Sequence, residues 1–569
     1  MRPIRQLIPL FVVLWLVIGA AAPLAAQTTA VASRAPGKSA IASAHPLATA
    51  AGEEILVAGG NAFDAAVAVA ATLSVVEPSG SGLGGGGFFL LHRASDGLET
   101  MIDGREKAPA AASRDMFLDA NKEPVPRLSV DSPLAAGIPG EPAALAYLSA
   151  KFGRLPLKQV LQPAIRIARA GFPMYARLQG VVRQKRETLK KQPHAARIWL
   201  DRKGEVPALG AIIRQPELSR TWQLLADKGM AEFYTGKLAR ATVREVRAIG
   251  GIWSEQDLAS YQVVERKPIV GHYRGARIVS ASPPAAGGVA LVDALNIIEG
   301  FDLARMDAAT RTHVIVEAMR RMHRDRAVYL GDPDFVPVPV ELLTSPAYAA
   351  GQRASINLMR AMPSDLLPGL EPEQGKGTQT THFSIMDKDG NRAGVTITLN
   401  FLLGSGLMLK NSGIFLNNQM DDFSIKTGVP NGFDLVGADA NAIASGKRML
   451  SSSTPTFIES PRGLMIAGSP GGSYITGMVL LATLDFMAGK SAQDIVAAPR
   501  FHHQYRPDVV QFETGALSSE LRTALEARGH KVAEARRRWG NMQVITWDYA
   551  TGKVDAAADP RGEGAGHVY

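Results

Sequence analysis

One segment limits what this chain can become more than any other: Ala62–Val76, AFDAAVAVAATLSVV, which offers no polar face at any helical phase. A helix apolar all round must be covered on every side, so it belongs inside a layered protein. It closes a longer Ala/Val-rich stretch, Ala48–Val76, that Gly59-Gly60 divide into two predicted helices. A glycine-rich loop, GSGLGGGG (Gly80–Gly87), and the strand-like FFLLH follow, then a second short strand candidate, LETMID, ending at Asp103. The loop matches G-x-G-x-x-G, but it follows a helix and precedes a strand. That is the reverse of the order that sets a pyrophosphate on a helix N-terminus. It reads instead as a loop that lets backbones approach closely.

The chain has 569 residues, with 46% hydrophobic and 20% charged. This is ordinary globular usage and excludes disorder as the main state. There is no cysteine, which removes disulfides, thiolate nucleophiles, iron–sulfur clusters and Cys-type zinc sites. The net charge of +9 is mild for this length and permits acidic partners without implying nucleic acid. The basic clusters at Arg183–Lys191 and Arg536–Arg538 have few interleaved aromatics, so they are expected as exposed surface. Arg2 and Arg5, an apolar run from Leu7 to Ala22, and small residues to Ala26 read as a secretory signal over residues 1–26. The run is shorter than the about 20 residues that span a bilayer, so an exported protein with no stable membrane span is expected.

The region from about 140 to 330 is helical in pattern. Residues 361–379 read as an exposed linker, after which the pattern turns to strands: THFSIMD, a hairpin turn at Lys388–Asn391, RAGVTITLN, SGIFLNN and GLMIAGS. A helix over Gly477–Ala488 follows. Strands then helices within each half argue α+β with sheets covered by helices. His313, Glu317 and His323 share one helical segment, but its neighbours Arg320, Arg321, Arg324 and Arg326 make a solvated basic face the expected reading, and no metal or other cofactor is expected. His502 and His503 are expected to pack or cap. No G-x-S-x-G elbow occurs. What remains is Thr380, where linker meets strand. A threonine hydroxyl needs a base, and at a chain terminus its own α-amine supplies one, with a reference pKa of about 8.

Together with GGNAFDAAVA, SGLGGGGFFLL, DGREKAP, QTTHFSIMDKDGN, LNNQMDDFS, KRMLSSSTPT, GSPGGS and APRFHHQ, this region resembles the γ-glutamyltransferase (γ-glutamyltranspeptidase) family of N-terminal-nucleophile hydrolases. The resemblance implies a four-layer α/β/β/α sandwich. It also implies self-cleavage of the Gln379–Thr380 bond, giving a heterodimer of a large subunit, 27–379, and a small catalytic subunit, 380–569. It implies glutathione and other γ-glutamyl compounds as donors, and amino acids or dipeptides as acceptors. By the same resemblance Thr380 is the nucleophile, Thr398 orients it, and the N–H groups of Gly471 and Gly472 form the oxyanion hole. Arg105 with Ser451 and Ser452 reads the α-carboxylate, Asp422 with Gln419 the ammonium, and Asn400 contacts substrate. Pro430–Arg448 corresponds to a lid loop with Phe433 at its aromatic gate, a feature that related cephalosporin acylases lack. Two alternatives differ in function: a glutaryl acylase of the same fold, and an unprocessed binding protein without catalysis.

Overall fold

The computed structural model describes residues 35–367 and 380–569; the expected signal and the Gln379 side of the expected cleavage bond lie outside them. Two antiparallel sheets form its centre. The first has seven strands in the spatial order 565–568, 40–43, 381–386, 392–398, 86–93, 98–104 and 264–266. The second has six, in the order 554–558, 543–548, 463–468, 456–460, 276–280 and 269–273.

Strand alternation assigns the faces. In FFLL, Phe88 and Leu90 point between the sheets with Phe457, Ile466 and Ile545, while Phe89 and Leu91 point outward. The outer face of the first sheet is covered by the helices Pro46–Val57 and Ala62–Val76. Every residue of the second is buried, as its missing polar face requires, and its start is fixed by a capping box. Asn61 Oδ1 accepts from the N–H groups of Phe63 and Asp64, and Asp64 returns an acceptor to Asn61 N–H. On the second sheet, Ile278, Ile458, Met465 and Val544 pack against the helices Gly287–Glu299, Ala308–Tyr329 and Ile475–Met487. The result is the expected α/β/β/α sandwich.

The glycine loop does what close approach demands. A Cβ on Gly85 would lie 2.1 Å from Thr398 O, and one on Gly87 2.2 Å from Thr396 O. The strand 86–93 can therefore lie flush against 392–398.

Three expectations need correction. SGIFLNN is not a strand; within it only Phe415 makes an isolated bridge, to Met408. The middle region is not wholly helical, because 264–280 supplies strands to both sheets. The basic face of Ala308–Tyr329 is not solvated. Arg320, Arg321 and Arg326 are buried, with Arg320 paired to Asp508 and Glu317, and Arg321 to Glu317. His313 Nδ1 lies 2.7 Å from His530 Nε2 in the same network. A helix between a sheet and a further layer holds buried arginines at least cost when carboxylates come with them, as Glu317 and Asp508 do here for Arg320 and Arg321.

Candidate active site

The register of the hairpin creates the centre of the site. Thr381 pairs with Ile397, so Thr380, one residue earlier, stands across from Thr398 at the strand ends. Their hydroxyl oxygens are 3.4 Å apart, longer than an ordinary O–H···O bond. Thr398 Oγ1 also accepts from Asn400 N–H at 2.7 Å, which leaves its own proton to turn toward Thr380. Asn400 sits at φ +78°, and its amide donates to Asn418 O at 2.9 Å. Directly behind, Thr381 Oγ1 donates to Glu77 Oε2 at 2.5 Å, and burial raises the pKa of that carboxyl.

Thr380, Thr398, Asn400, Gln419, Asp422, Arg105, Ser451, Ser452 and Gly472 all line one cavity. Gly471 lies on the other side of the same turn. The two glycines have φ +146° and +57°, values that favour residues without a Cβ. A Cβ on Gly472 would meet the ring of Phe433 at 2.4 Å. Phe433 in turn stacks on Phe401, with ring centroids 4.5 Å apart and planes 8° from parallel. Its loop is tied down where Gly432 N–H donates to Asp421 Oδ2 at 2.9 Å. Asp421 also accepts from Ser129, and burial pushes its pKa up to about 7.

The charged residues lie deeper than surface charges do. Arg105 is fully buried and donates to Asp422, to Met449 O at 3.2 Å and to Leu450 O at 3.4 Å. Gln419 Nε2 donates to the same Asp422 oxygen at 3.0 Å. The two groups that the resemblance assigns to the two charges of one α-amino-acid head group are thus closed on each other. The space left is about 20 Å³, room for little more than a water. Glu106, beside Arg105, is pushed up to about 8 by burial, and burial also raises Asp422 against the opposing pull of Arg105. Ser451 Oγ contacts Ser453 Oγ at 3.0 Å, and its backbone exchanges hydrogen bonds with Pro284 and Ala286.

The sequence does not single out Glu77, Asp421 occurs only within the stretch LNNQMDDFS, and Arg326, in the cavity wall, reads there as part of a solvated face. Across the turn, Gly471 and Leu402 open onto a cleft of about 430 Å³ that Arg177, Arg537, Arg538 and Arg561 also line. Arg561 is held by Glu513 and Asp559; among the described residues no acidic side chain lines the cleft itself.

Comparison with known proteins agrees with this geometry. The sequence profile described as gamma-glutamyltranspeptidase matches residues 48–569. The glutathione hydrolase proenzyme of Escherichia coli strain K12 is 42% identical over 529 residues, covering 92% of this chain and 90% of that protein. Among solved structures, a cephalosporin acylase from Bacillus halodurans superposes with a TM-score of 0.81 at 28% identity, covering 93% of this chain and 95% of that one. A gamma-glutamyltranspeptidase of Helicobacter pylori gives 0.56 at 38% identity, covering 57% of this chain and 93% of that one.

Proposed function

The chain belongs to the gamma-glutamyltranspeptidase family, and we propose from that premise how its residues divide the work of a γ-glutamyl hydrolase and transferase. It is an enzyme that takes the γ-glutamyl group from glutathione and related amides and passes it to water or to an amine. The observation that carries the reading is a single cavity that brings together a threonine hydroxyl, a guanidinium and a carboxylate: Thr380, Arg105 and Asp422. A zwitterionic head group two methylenes from the reacting acyl carbon needs that set.

Maturation comes first. Thr380 Oγ1 attacks the carbonyl of Gln379, and hydrolysis of the resulting ester leaves Thr380 with a free amine at the head of 380–569. In turnover that amine takes the proton from Thr380 Oγ1 as the oxygen attacks the γ-carbonyl. The oxyanion forms against the N–H groups of Gly471 and Gly472, and Thr398 O–H steadies the attacking oxygen. Collapse expels the leaving amine, which receives the proton back. Water or an acceptor amine then repeats the sequence on the γ-glutamyl ester. The α-carboxylate exchanges with Asp422 for Arg105, and the ammonium takes Asp422 with Gln419. One buried ion pair is replaced by two, so little charge is left uncompensated. Acceptor amino acids or dipeptides enter by the arginine-lined cleft beside Gly471, which suits their carboxylates. The signal over residues 1–26 directs the protein to export.

The fold match to an acylase keeps glutaryl substrates in view, and Asp422 argues against them, since a glutaryl group has no ammonium. The test is Thr380→Ala on a denaturing gel, with N-terminal sequencing of the smaller wild-type band. Wild type should give two bands, the smaller beginning at Thr380, and the variant one inactive band. Two bands from Thr380→Ala would remove Thr380 as the nucleophile.

A further inference from the structure

Arg326 stands near the end of the helix Ala308–Tyr329, is 6% exposed, and shares the cavity wall with Arg105, Asp422, Ser451 and Ser452. Its Nε is buried with no hydrogen-bond partner. Among the described residues no carboxylate lies within ion-pair distance of it, whereas Arg320, Arg321 and Arg324 on the same helix each have one. The charges that act on it are those of Asp422 and Arg105, and although burial lowers its pKa to about 10 it stays a cation at neutral pH. An unmatched buried guanidinium is costly. A fold keeps one where an anion arrives from outside.

Arg105 cannot serve that anion alone. Its donors are already divided among Met449 O, Leu450 O, Glu106 and Asp422, so giving up Asp422 frees little more than one edge. A carboxylate has two oxygens and accepts best from a planar fork at each. We propose that Arg326 is a second guanidinium for the α-carboxylate of the γ-glutamyl group, acting beside Arg105; this rests on the γ-glutamyl reading above. If Arg326 instead bound Asp422 it would compete with the substrate ammonium for the one acid there. A carboxylate between the two arginines leaves Asp422 to the ammonium and gives every charge a partner.

Three anilides separate the possibilities: γ-glutamyl; γ-aminobutyryl, which lacks the α-carboxylate; and glutaryl, which lacks the ammonium. Arg326→Gln should lower kcat/KM by about 10- to 100-fold on the γ-glutamyl and glutaryl anilides, mainly through KM, the range expected for a charge-assisted hydrogen bond. The γ-aminobutyryl anilide should change by no more than about threefold. Arg326→Lys, which keeps the charge but not the fork, should show the same pattern more weakly. It carries the test if the glutamine variant does not mature to two bands. Equal losses on all three substrates, or the largest loss on γ-aminobutyryl, would overturn the role. A wild type that prefers the glutaryl anilide would overturn the γ-glutamyl reading and leave the comparison between variants intact.

Discussion

Replacing Gly472 by alanine adds one methyl group at the point where lid, turn and cavity meet. At φ +57° the backbone is in the left-handed region, which costs an alanine about 1–2 kcal/mol. The new Cβ would stand 2.4 Å from Phe433 Cδ1 and 2.7 Å from Cε1, far inside van der Waals contact, so the ring or the turn must move. Shifting the ring breaks its stack on Phe401, worth about 0.5–1.5 kcal/mol, and pulls on the Gly432–Asp421 bond. Shifting the turn misplaces the N–H group proposed as an oxyanion donor, worth about 10²–10³ in kcat. The strain is shared, so kcat for a γ-glutamyl anilide should fall at least about tenfold in a protein that still matures to two bands. Adding Phe433→Ala removes the steric part and leaves the backbone part. The double variant should therefore recover a portion of the lost kcat, with a coupling above about 0.5 kcal/mol. Strictly additive effects would refute the contact between ring and turn.

Asp422→Asn should lower kcat/KM for the γ-glutamyl anilide by about 10- to 100-fold. It should also raise that for the glutaryl anilide, because the carboxylate no longer has to displace Asp422 from Arg105; parallel losses on both would mean that Asp422 serves the fold rather than the ammonium. Arg537→Gln combined with Arg538→Gln should erase any preference for leaving anilines that carry a carboxylate, while plain nitroanilide hydrolysis stays within about threefold; an unchanged preference would place the leaving group elsewhere than the cleft of Gly471 and Leu402.

The sequence determined those features whose physics is local. The apolar run Ala62–Val76 had to be buried, and it is. Lys388–Asn391 had to turn, and the strands on either side pair across it. The glycines of 84–87 had to admit a neighbouring backbone, and a Cβ on any of them would strike a carbonyl oxygen. Motif resemblance named Thr380, Thr398, Asn400, Gln419, Asp422, Arg105, Ser451, Ser452 and Gly472, and the fold brings these nine to one cavity. It also named Gly471, which the turn presents to the cleft instead. Partners distant along the chain were settled only in three dimensions. Arg105 and Asp422 are 317 residues apart and close on each other; Thr381 finds Glu77 from 304 residues away. Arg326 shows the limit most plainly. A run of four arginines on one helix has the composition of a solvated face, and charge pattern alone says nothing of what will cover it. The second sheet and the segment bearing Asp508 decide that: Arg321 and Arg324 rely on Glu317 and Asp325 of their own helix, Arg320 also takes Asp508, and Arg326 faces the cavity instead.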